Sequence, residues 1–158
     1  MSNPKEHIND TESVARAIFS PSMVDSDGRI SKAAFGLRHN ENYISVARMS
    51  INGWIDDIKN IPENPTRQLV GYGVLEVGEI RGSILSFFEK QIVLDVEDES
   101  TERNKSHAGI TISYNDEQLQ GDKKLSLKPL QPHLPASMLL LKIQSKLANL
   151  ANKKFVRL

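Results

Sequence analysis

The sequence predicts a single α+β domain, with a mixed or antiparallel sheet of five to six strands, one short helix and one long C-terminal helix. Three observations predict it. Short segments rich in β-branched and aromatic residues, several alternating with period two, recur between residues 13 and 114. Two segments, 53–61 and 136–152, carry apolar residues at helical spacing. The two kinds of segment do not alternate regularly, which disfavours a parallel βα array. The chain has 158 residues, enough for one domain, assigned to 13–158.

Residues 1–12 are short of apolar groups and read as a disordered lead-in. Residues 13–19 (SVARAIF) form a strand stopped by Pro21, with Arg16 in its middle. Asp25-Ser26-Asp27-Gly28 has the chemistry of a tight turn, and 33–38 suits an extended segment or a short helical turn. Residues 42–49 alternate, with Tyr43, Ser45, Ala47 and Met49 on one face and Ile44, Val46 and Arg48 on the other. Asn52 caps a short helix over 53–61, whose stripe is Trp54, Ile55, Ile58 and Ile61. Pro62 and Pro65 end it.

Residues 68–77 read as a strand in which Gly71 and Gly73 mark a bulge or the close approach of another backbone. Residues 80–89 suit a strand or a short helix. A buried strand over 91–96 runs into a solvated acidic loop, and 108–114 is a further strand. Pro129, Pro132 and Pro135 lead into the last helix, where Leu139, Leu140 and Ile143 widen the apolar stripe. Its terminal cations complement the helix dipole, and the apolar helix itself, ending in Phe155-Val156-Arg157-Leu158, offers a docking element as an alternative to core.

Composition removes whole classes of function. Twenty Lys and Arg balance twenty Asp and Glu, which argues against a nucleic-acid partner. The chain has no cysteine, so thiolate nucleophiles, Cys-ligated zinc and iron–sulfur clusters are excluded. Its longest apolar run, 138–141, falls far short of the ~20 residues of a membrane span. The N-terminal residues carry no apolar signal core. The expectation is a cytoplasmic protein without a membrane partner. Four histidines sit too far apart in sequence for a local zinc motif, and no phosphate-binding loop, calcium loop or nucleophile elbow is present, so no metal site is expected.

The remaining candidates are polar groups in apolar surroundings: Arg16, Arg38, Ser45, Arg48 and His107. A guanidinium in a half-buried strand must find a carboxylate, a carbonyl or an anionic ligand. Two readings follow. The arginines tie to the acidic loop, or they converge on a pocket for a small anionic ligand.

Asp27-Gly28, Ala34-Phe35 and Arg38, then Ser45-Val46-x-Arg48, then Asn104-x-x-His107-Ala108-x-Ile110 resemble a pattern in small standalone uncharacterised bacterial proteins, with Lys105 in place of their usual proline. The resemblance implies an accessory component of a bacterial multi-gene system, of the conflict or mobile-element kind. The expected function is a non-catalytic binding module that recognises a protein partner or a small anionic ligand and needs no cofactor. The alternative is an enzyme resembling the ADP-ribosyltransferase superfamily. That resemblance implies NAD as cofactor, with Arg16 at its pyrophosphate, Ser45 on the second strand, and Glu76, Glu79 or Glu117 at the ribose hydroxyl. A weaker likeness of 104–110 to the His-Ala-Glu motif of nucleobase deaminases fails, because Gly109 replaces the glutamate and no cysteine exists to hold zinc.

Overall fold

Alternation along β1 (Ser13–Ser20) sets the two faces of the sheet. Val14 and Ile18 point into the main core, while Ala15, Ala17 and Phe19 point into a second, smaller cluster. The structure, a computed structural model, describes residues 5–37, 42–87, 90–114, 117–118 and 136–158. After β1 come a 3-10 turn (Lys32–Phe35), β2 (Tyr43–Arg48), α1 (Trp54–Lys59), β3 (Gln68–Glu76), α2 (Val77–Arg81), β4 (Leu85–Phe87), β5 (Lys90–Asp98), β6 (His107–Tyr114), β7 (Glu117–Gln118), α3 (Ala136–Asn152) and β8 (Phe155–Arg157).

The architecture is α+β, and every strand pair described is antiparallel. The order is β4-β5-β6-β2-β1-β3-β8, with the two-residue β7 beside β6. Seven strands in line correct the expected five to six. The extra ones are β4, from the ambiguous 80–89 stretch, and β8, too short to show a period. A third helix, α2, is also additional: Val77 continues the alternation of β3 in sequence but opens a helical turn that buries Ile80.

α3 covers one face. Leu139, Ile143 and Leu147 are fully buried against that sheet face, so this helix is core rather than a docking element. β8 then returns along β3, pairing Gly71 with Arg157 and Gly73 with Phe155. Of the two expectations for the β3 glycines, the close backbone approach forms at Gly71, and a bulge falls beside it. The register slips between Ile18 and Phe19, leaving Val70 as the extra residue. A Cβ on Gly71 would sit 2.1 Å from the Val156 carbonyl oxygen. α1 covers part of the other face, with Ile58 buried and Trp54 edge-on to Tyr72 at 5.1 Å.

Residues 5–12 are bound to the sheet, against the expectation of a disordered lead-in. Ile8 is 1% exposed in the main core. Arg81 donates to the Ile8 carbonyl at 2.6 Å and to Asp10 at 2.7 Å, and the Glu6 amide donates to Asp98 at 2.9 Å. Arg48 makes the deepest tie. Its Nε and Nη2 each lie 3.1 Å from a Glu12 carboxylate oxygen, and Glu6 sits 3.4 Å away. Composition misled here because one buried isoleucine and a set of charged contacts suffice to hold the segment.

Burial pushes the Glu12 carboxyl up, but hydrogen bonds from Arg48, Ser50 and the Asn9 main chain outweigh it, leaving Glu12 below its ordinary value. Burial likewise raises Asp98, and the Glu6 amide and Ser100 bring it below its ordinary value. Such carboxyls stabilise the fold above their unfolded values, and that contribution is lost as pH falls through the folded ones. Glu12→Gln is therefore expected to lose stability at neutral pH and to show a flatter acid limb below the ordinary value of 4.5 in pH-dependent urea melts. Arg48→Ala strands Glu12 and is expected to cost about 3 kcal/mol. Gly71→Ala is expected to cost about 2 kcal/mol by displacing β8, whereas Gly36→Ala, with its nearest neighbour at 3.5 Å, leaves the urea midpoint unchanged.

Candidate functional site

β1 and β2 pair only at Val14–Arg48 and Ala15–Ala47, although β2 runs back to Tyr43. Beyond Ala15 the strands part. Continuing the register would set Ala17 against Ser45. Instead Arg16 reaches across, donating from Nη1 to the Ser45 carbonyl at 2.7 Å and from Nε to the Ala34 carbonyl at 2.8 Å. The guanidinium takes the place of ladder hydrogen bonds and holds the parting open.

A recess of about 410 Å³ lies over this parting, between the sheet and α1. Its floor is Ala15, Ala17 and Ala47, small side chains where strands usually place branched ones. Ile58 and Ile61 line it from the α1 side, and Met23 from the β1–β2 connection.

The polar groups come from the sheet, the β5–β6 turn, the loop after α1 and α1 itself. On the sheet, His107 Nε2 lies 3.1 Å from Ser45 Oγ, and the Tyr43 ring meets the imidazole edge-on at 5.6 Å. Tyr43 lies over Gly109, where a Cβ would come within 2.6 Å of the ring, so this glycine gives Tyr43 its place beside His107. The β5–β6 turn supplies Asn104, fixed by main-chain bonds with Thr101 at 3.0 and 3.2 Å. The loop after α1 supplies Arg67, at the close of a turn in which Asn64 and Arg67 exchange main-chain bonds at 3.0 Å. The Arg67 guanidinium stacks 3.9 Å above the Phe19 ring.

Two of these groups are unsatisfied. Among the described residues, the buried side-chain polar atoms without a hydrogen-bond partner are Arg67 Nε and Asn104 Oδ1, and both residues line this recess. The carboxylate on its wall, Asp57, accepts from Ser106 Oγ at 2.5 Å.

The expected site residues divide. Arg16, Ser45 and His107 all line the recess. Arg48 does not: alternation sends it to the opposite face, where it is 3% exposed and bound to Glu12 and Glu6. Arg38 lies outside the described residues. The expected convergence of Arg16 and Arg48 is therefore not formed. Arg16 has committed Nε and Nη1 to carbonyls, and the cation with an open donor is Arg67, which the sequence reading missed. Its only signal was an arginine closing an Asn-Pro-Thr turn, and nothing local links it to Phe19.

For the ADP-ribosyltransferase arrangement, Glu76 is exposed at the end of β3 and Glu79 binds Lys153 at 3.0 Å. Neither lines the recess, and the side chain of Glu117 lies outside the described part. Ser45 and His107 place a hydroxyl beside a base, but among the described residues no carboxylate bonds the imidazole. No helix among the described residues is long and apolar enough to cross a membrane. No family model, curated protein or solved structure matches the chain, and the recess is read from its own chemistry.

Proposed function

We propose that the protein is a non-catalytic binding module whose recess takes a small anionic ligand on Arg67. The observation that carries this is the pair of unpartnered polar atoms, Arg67 Nε and Asn104 Oδ1, on residues lining one cavity. Leaving a buried donor or acceptor unmade costs about 1–3 kcal/mol, and a ligand that satisfies both recovers it. The volume, near 410 Å³, falls in the range of about 300–1,000 Å³ typical of small-molecule sites. Stacking on Phe19 holds the guanidinium plane fixed, so less freedom is lost on binding. The resemblance of its motifs to small bacterial proteins supports an accessory role in a multi-gene system.

The test is a titration of ¹⁵N-labelled protein with acetate, benzoate and phosphate, followed by amide chemical shifts. Changes are expected at residues 45, 67, 104 and 107, lost in Arg67→Gln at unchanged circular dichroism. An absence of shifts at millimolar anion, or shifts spread evenly over surface cations, overturns the reading.

A further inference from the structure

From the same recess we infer the ligand class: a monocarboxylate with a single-ring apolar body that also carries an O–H or N–H donor. The inference rests on the binding reading above and narrows it through three features of the wall.

Arg67 is stacked on Phe19 through one face of its guanidinium. A ligand at the unpartnered Nε therefore meets the edge of the plane. That edge presents Nε–H beside an Nη–H, a two-donor fork matched by two oxygens on one carbon or phosphorus. Charge separates these two anions. Asp57 lines the same cavity with two guanidinium groups, Arg67 and Arg16, and the carbonyls that hold Arg16 Nε and Nη1 leave its charge in place. One carboxylate against two guanidinium charges leaves room for a single negative charge, so a monoanion is balanced whereas a dianion is in excess.

Asn104 Oδ1 is an acceptor, which no carboxylate oxygen can satisfy. A ligand that binds Arg67 alone leaves Oδ1 dry and unpaired, so the favoured ligand brings a donor of its own. Between the polar ends lie the alanine floor and the Ile58 and Ile61 wall. Their surface rewards an apolar body rather than a string of hydroxyls.

Calorimetric titration of the full chain with benzoate, 3-hydroxybenzoate, 4-hydroxybenzoate, phenol and inorganic phosphate tests each part. The expected result is that one hydroxybenzoate binds roughly fivefold or more tightly than benzoate, and that phenol and phosphate bind more weakly than benzoate. Asn104→Ala is expected to bring the hydroxybenzoates level with benzoate. Equal affinity for benzoate and both hydroxybenzoates in the unmodified protein overturns the donor requirement and leaves the anion site standing. Phosphate binding above benzoate overturns the carboxylate assignment. Binding by none of the five overturns the recess as a ligand site altogether.

Discussion

An antiparallel pair that opens part-way along its length exposes main-chain groups that water or another donor must satisfy. β1 and β2 open after two paired residues, and the donor is a side chain of β1 itself. Arg16 bonds the Ser45 carbonyl on the parted strand and the Ala34 carbonyl on the 3-10 turn beneath. A guanidinium suits this task because its donors are spread around a rigid plane. It props the strands apart and pins the β1–β2 connection to the sheet in one contact. The recess and the spacing of Ser45 from β1 follow from that wedge.

The two sides of the sheet are finished differently. On the α3 side, buried leucines and isoleucines close the core, and the buried cation, Arg48, has two carboxylates. The α1 side carries a six-residue helix, three alanines and two polar atoms left without partners. Natural chains keep such local deficits chiefly where a site needs them. The contrast within one sheet is what makes the recess stand out from ordinary imperfect packing.

Much of the fold was legible where the signal was local. Alternation placed the 42–49 and 68–77 strands within two residues, and the Asp25 turn forms as its chemistry requires, with Oδ1 accepting from the amides of Asp27 and Arg29 at 2.9 Å. What escaped depends on partners distant in sequence. Arg81 looks like any helix-terminal cation, yet it binds Asp95 and, seventy-three residues away, the Ile8 carbonyl. Residues 5–12 are polar because they are held by polar contacts. At the site, Ser45 and His107 were found because a hydroxyl and an imidazole stood near apolar strands. Arg16 was found for the right reason, a charge in need of a partner, and its Nε and Nη1 donate to carbonyls. Arg67 could not be found, since its importance comes from the Phe19 ring, forty-eight positions earlier.

Ser106 is wholly buried and has two duties. Its carbonyl accepts from the Arg48 amide at 2.7 Å, and its hydroxyl donates to Asp57 on α1. One small residue, through its carbonyl and its hydroxyl, thus rivets the helix that roofs the cavity to the strand whose guanidinium clasps the leading segment. The roof and the clasp are parts of one mechanical frame, and neither can loosen without tugging on the same serine.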